Sequence, residues 1–77
     1  MTSSAPSLPH ARYIVLQHEG AWKINLDNRY YGPFATQEEA VASATGTARQ
    51  ASESGYPASV LLMRGTAFET LWTNRAG

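Results

Sequence analysis

The chain contains no cysteine, so neither a disulfide framework nor a thiolate metal site can form within it. Six basic and six acidic side chains cancel, and only 16% of the 77 residues are charged. This balance argues against partners attracted by bulk charge, such as bulk DNA or an anionic membrane. No apolar run approaches membrane-spanning length, and residues 1–10 lack the basic and apolar segments of a secretion signal. We therefore expect a cytoplasmic location and no membrane partner.

Residue types that carry catalysis are also scarce. The only two imidazoles are His10, in a Ser- and Pro-rich stretch, and His18, beside a predicted turn. Glu38 and Glu39 are adjacent, but both lie where a helix begins, and negative charge is favoured there by the helix dipole. The glycines are scattered rather than grouped into a phosphate-binding loop. We expect no enzymatic activity, no metal, no cofactor and no small-molecule substrate.

The centre of the chain carries the marks of one capped helix. Thr36 and Glu39 have the spacing of a capping box, in which the hydroxyl accepts from a first-turn amide and the carboxylate reaches back to the cap's own amide. This pattern predicts a helix that begins at Gln37. Gly55 supplies a left-handed cap, so the helix is expected to end near Ser54.

One face of this helix consists almost entirely of small residues. Side chains this small let the helix axis approach its neighbour closely, so the bulk of the core must come from the opposing layer. That layer is predicted to be a sheet with aromatic and branched residues. The predicted buried positions fall within one arc of about 120° and are Ala40, Val41, Ala44, Thr47, Ala48 and Ala51.

Four segments are dense in β-branched and aromatic residues and are bounded by turn signals. Their order predicts an α+β domain of ββαββ type, in which a four-stranded, mainly antiparallel sheet carries one helix on one face. Residues 1–11 are predicted to be a disordered tail and 12–77 a single domain. Residues 29–31 form either a brief extra strand or an extended loop. The four predicted strands are 12–18, 22–26, 58–63 and 66–73.

The two hairpins differ in how well the sequence defines their register. In the second, a two-residue loop pairs Leu61 with Phe68, whereas a three-residue loop with a bulge pairs Leu62 with Phe68. In either case Phe68 and Trp72 share a face, which we predict to be the core side. In the first hairpin, the predicted pairs are Val15 with Ile24 and Gln17 with Trp22.

Several sequence features occur together in one bacterial family. In chain order, they are Trp22, the Gly-Pro-Phe-x-Thr-x-x-Glu-Ala segment at 32–40, the helix residues Ala44 and Ala48, and a terminal Arg-Gly hairpin. The combination resembles the small bacterial proteins grouped as domain of unknown function 2188, over about residues 12–73. The resemblance implies a strand-strand-helix-strand-strand fold. It implies no established activity, and it identifies no catalytic residue in this chain.

A single helix covers only one face of such a sheet, yet apolar side chains are predicted on both. Ile14, Leu16 and Leu71 point away from the helix, together with at least one residue of the third predicted strand. This is more apolar surface than a small monomer normally exposes. We therefore expect a homodimer or a protein partner at this face, with Ile14, Leu16, Lys23 and Leu71 in the interface.

Two other functions are compatible with the sequence. Residues outside the helix are mildly basic, and tyrosines lie near those cations, which favours weak binding of single-stranded nucleic acid. The chain is also small enough to be an accessory or inhibitory protein that blocks a larger partner. Aromatic and Arg side chains dominate binding hot spots, so Arg29, Tyr30, Tyr31 and Arg64 are candidates for partner contacts.

Overall fold

The structure is a computed structural model that describes residues 10–74. Strands β1, β2 and β3 precede helix α1, and β4 and β5 follow it, in one sheet of order β3-β2-β1-β4-β5. β1 and β4 are parallel and the other three pairs are antiparallel. The bounds are β1 Ala11–His18, β2 Ala21–Leu26, β3 Arg29–Phe34, α1 Gln37–Glu53, β4 Ala58–Arg64 and β5 Ala67–Thr73.

The predicted α+β class, with one helix on a sheet, is confirmed, but the sheet is mixed and has five strands among the described residues. The extra strand is β3, which forms because Asp27 and Asn28 adopt positive φ angles of 52° and 65° and turn the chain back along β2. The strand is difficult to predict from the sequence, because it contains Gly32 and Pro33, two residue types that are rare within strands. They are tolerated because β3 is an edge strand with irregular pairing.

The parallel pair at the centre of the sheet was also not predicted. Because β3 runs parallel to β1, the connection through α1 returns the chain beside β1 in the same direction. Ala11 already belongs to β1, whereas the rest of the predicted tail, apart from His10, lies outside the described residues.

The first hairpin has the predicted register. Val15 pairs with Ile24 and Gln17 with Trp22 across a two-residue turn. Both turn residues, Glu19 and Gly20, have positive φ, as this tight connection requires.

The second hairpin differs from both predicted registers. Met63 pairs with Phe68, while Val60 pairs with Trp72, and an irregularity between Val60 and Leu61 leaves Leu71 as an extra residue on β5. A bulge of this kind reverses the alternation of side chains beyond it. The prediction for Phe68 is therefore wrong, because it lies on the opposite face from Trp72, whereas Trp72 does pack against the core.

The helix begins at Gln37 as predicted. The Thr36 hydroxyl accepts a hydrogen bond from the Glu39 amide at 3.1 Å. The Glu39 carboxylate accepts from the Ala35 amide at 3.4 Å rather than from the amide of Thr36, so the reciprocal bond is displaced by one residue. At the other end Gly55 has φ 97°, and the helix ends at Glu53 with Ser54 as its cap.

Thr36→Ala should lower the free energy of unfolding by about 1 kcal/mol, because one first-turn amide loses its partner. Urea denaturation measures the free energy of unfolding of this variant. The control is Thr45→Ala, which removes a hydroxyl from the middle of the helix rather than from its cap. Equal stability of the two variants would contradict a capping role for Thr36.

The core lies between α1 and the centre of the sheet. Ala40, Ala44 and Ala48 are fully buried, and Val41 and Ala51 pack at the margin. Thr47 was predicted to be buried but is exposed, since it lies at the side of the helix that overhangs β2 and β3. The opposing sheet supplies the larger side chains, which are Tyr13, Val15, Ile24, Val60 and Leu62.

Candidate binding surfaces

The sheet face opposite α1, here called the helix-free face, carries a group of apolar side chains. Alternation from the buried Val15 and Leu62 assigns them to this face. Met63 and Phe68 are 38% and 56% exposed, and the other members are partly exposed. We call this group the apolar patch, and its members are Ile14, Leu16, Leu61, Met63 and Phe68.

The strand register arranges these side chains into two rows across four strands. In one row Lys23 pairs with Leu16, and Met63 pairs with Phe68. Leu16 and Met63 are adjacent, because they follow the parallel pair Val15 and Leu62 by one residue on each strand. The second row, formed by direct pairs throughout, is Asn25, Ile14, Leu61 and Thr70.

One end of the helix-free face is polar. The Lys23 ammonium lies 3.9 Å from the Glu19 carboxylate and 3.5 Å from Nδ1 of His18. The Tyr30 ring stacks on His18 with centroids 4.1 Å apart and an interplanar angle of 12°. The same ammonium is 6.0 Å from the Tyr30 centroid. One face of the Tyr30 ring is therefore already occupied within the chain.

Three of the four predicted interface residues lie together. Ile14, Leu16 and Lys23 are neighbours on the helix-free face, whereas Leu71 lies at the bulge in edge strand β5 and is 37% exposed. Sequence reasoning missed Met63 and Phe68. Met63 follows from strict alternation with Leu61, but the side of Phe68 depends on its pairing with Met63 across the turn, a register that the sequence did not define.

The four candidates for partner contacts do not form one surface. Tyr30 pairs with Asn25 and lies on the helix-free face, while Tyr31 pairs with the buried Ile24 and lies on the helix side. Arg29, on edge strand β3, is separated from β4 by two strands. Arg64 lies at the end of β4, where its Nε donates a hydrogen bond to Oε1 of Glu69 at 2.7 Å.

The helix side of the sheet contains a groove formed by two adjoining cavities of about 300 and 210 Å³. Both are lined by Tyr13 and Leu26. The larger cavity continues to Tyr31 and Thr47, and the smaller one to Asp27, Ala51 and Tyr56. The groove exists because the nearby helix residues are small. We call it the tyrosine groove.

Tyr13 is the most deeply buried of the tyrosines in this groove. It is 6% exposed, and its hydroxyl makes no hydrogen bond with any residue in the range 10–74. Burial, followed by the charges of Tyr31 and Asp27, raises the pKa of Tyr13 above its usual value of 10.0. The hydroxyl is therefore protonated at neutral pH and can donate a hydrogen bond.

The raised pKa of Tyr13 predicts a loss of stability in alkali. Above pH 10 the unfolded chain releases this proton more readily than the folded chain, so the free energy of unfolding falls as pH rises. Urea midpoints measured from pH 8 to 11 should fall less steeply for Tyr13→Phe than for the unsubstituted chain. Parallel pH profiles would contradict the assignment.

Metal-binding clusters and membrane-spanning helices are both absent from the described part of the chain. Residues 10–74 contain no group of three or more His, Cys, Asp or Glu side chains that could hold a metal ion. The helix α1 is neither long enough nor apolar enough to cross a membrane.

The fold and its surfaces define a class of small α+β domain, in which one alanine-rich helix covers one side of a five-stranded mixed sheet. A family model described as "Uncharacterized protein conserved in bacteria (DUF2188)" matches residues 12–63. The chain belongs to this family, as the resemblance predicted, and the matched residues run from β1 into β4. No curated protein and no solved structure matches the chain.

Proposed function

We propose that this chain is a non-enzymatic domain that acts by self-association, and that its helix-free face packs against the same face of a second copy. The observation that carries the proposal is the apolar patch, which has two exposed members, Met63 and Phe68. Contiguous apolar surface on a soluble chain is typical of an interaction site.

The rows across the helix-free face are self-complementary about a two-fold axis. An axis parallel to the strands and midway between β1 and β4 places Leu16 of one copy over Met63 of the other, and Lys23 over Phe68. An ammonium over an aromatic ring is a favourable contact. In the second row, the same axis places Ile14 over Leu61 and Asn25 over Thr70. Apolar residues thus meet in two of the contacts, polar residues meet in a third, and the ammonium of Lys23 meets the Phe68 ring in the fourth, so the patch is complementary to itself, as an isologous contact requires.

The helix-free face is also large enough. Five strands about 4.8 Å apart and about 22 Å long present roughly 500 Å² per copy, so a face-to-face pair would bury about 1,000 Å² in total. This is about the minimum for a biological interface and falls in the size range of weak or transient complexes. The contact between copies would also supplement the core of the single chain, in which Val15 and Val60 are the largest fully buried side chains among residues 10–74.

Sedimentation equilibrium of the unsubstituted chain tests the proposal directly. We expect a species of twice the 8.4 kDa chain mass at micromolar concentration. Amide exchange should be slower in β1 and β4 at high than at low protein concentration. A mass that stays at one chain up to millimolar concentration would contradict self-association.

A further inference from the structure

The tyrosine groove lies on the side of the sheet opposite the proposed dimer contact, so the two surfaces are independent. Its two cavities adjoin along Tyr13 and Leu26 and have volumes of about 300 and 210 Å³. A cleft of this size accommodates a small organic molecule.

The hydroxyl of Tyr13 is one polar group that the groove offers to a ligand. A hydroxyl without a partner in the protein can hydrogen-bond to water or to a bound molecule. Tyr13 is 6% exposed and lines both cavities, but its hydroxyl has no partner in residues 10–74. A bound molecule with an acceptor or donor would satisfy it.

The charges around the groove indicate which chemistry fits. Asp27 lines the smaller cavity and forms no ion pair with a described residue. Among residues 10–74, no lysine or arginine lines either cavity. His10 lines the smaller cavity, but its Nε2 is 2.9 Å from Oγ of Ser59 and is engaged there. The groove therefore combines a carboxylate that has no ion pair within residues 10–74 with three tyrosine rings, those of Tyr13, Tyr31 and Tyr56.

We propose that the tyrosine groove binds a small organic cation, with an ammonium group on a compact apolar body. Asp27 pairs with the ammonium, and the tyrosine rings contribute cation-π attraction. The apolar body packs on Leu26 and Ile24 in the larger cavity. The Tyr13 hydroxyl hydrogen-bonds to the ligand where the two cavities meet.

Three probes of similar size and different charge test this inference. Benzylamine, benzyl alcohol and benzoate are titrated into the ¹⁵N-labelled full-length chain, and amide shifts are followed by NMR. Benzylamine should give saturable shifts in β2, the 27–28 turn and α1, with benzyl alcohol weaker and benzoate weakest. Absence of saturation at tens of millimolar, or equal affinity for benzoate, would overturn the proposal.

Two variants separate the contributions of the charge and the hydroxyl. Asp27→Asn retains the shape and the left-handed backbone preference, and it should weaken benzylamine binding about fivefold without affecting benzyl alcohol. Tyr13→Phe keeps the ring and should weaken both probes about threefold to tenfold. Glu53→Gln, which removes the same charge from the exposed side of α1, is the matched control. If it has the same effect as Asp27→Asn, the specific pairing with Asp27 is refuted, whatever the state of association.

Discussion

Met63→Asp is expected to convert the proposed dimer into a monomer. The side chain is 38% exposed in the single chain, so the substitution should cost the monomer little. In the dimer the new carboxylate would face Leu16 of the second copy without a partner, and burying an unpaired charge costs several kcal/mol. We expect the dissociation constant to rise by more than about 100-fold, measured by sedimentation velocity over a range of protein concentrations.

Ala42→Asp is the matched control for Met63→Asp. It introduces the same charge at an exposed position on α1, on the opposite side of the molecule. The control should keep the mass of the unsubstituted chain. Phe68→Lys should act like Met63→Asp, because it removes the ring and places a second ammonium against Lys23 of the second copy. Unchanged association in both patch variants would refute the face-to-face arrangement.

Ala44→Leu should cause a large loss of stability. Ala44 is fully buried between the helix and the sheet, and its small side chain permits their close approach. Three additional carbon atoms would force the layers apart or displace neighbouring side chains, which typically costs about 1–3 kcal/mol. For a domain of this size, that is a large part of the total free energy of unfolding.

The same substitution two residues earlier is the control for Ala44→Leu. Ala42 is exposed, and leucine has a helix propensity close to that of alanine, so Ala42→Leu should change stability by less than about 0.5 kcal/mol. Urea denaturation of the two variants at one protein concentration measures the difference. Equal midpoints would show that the buried alanines of α1 do not set the distance between the helix and the sheet.

Part of the proposed interface could be predicted because it depends on local alternation. Ile14 and Leu16 follow from the pattern of β1, and Lys23 from the two-residue turn that pairs it with Leu16. Phe68 could not be predicted, since the sequence did not define its pairing with Met63, and a bulge at Leu71 then places Trp72 on the other side of the sheet. The bulge is decided by pairing across strands and by the packing of Trp72 on the core.

The tyrosine groove was not predicted at all. Tyr13, Asp27 and Tyr56 come from a central strand, a turn and the segment after the helix. They meet only once β1 lies next to both β2 and β4. The sequence separation of these residues does not predict that they lie together, because the packing of the whole core brings them into contact.

The sequence alone determined the two ends of α1, the register of the first hairpin and membership of the family. Each of these depends on residues within a few positions of one another, or on a pattern along the chain. Tertiary structure alone decided the fifth strand, the parallel pairing of β1 with β4 and the register of the second hairpin. These three features depend on which distant strands pack against Ala40, Ala44 and Ala48. Many different local sequences are compatible with the same strand pairing, so the local sequence does not determine it.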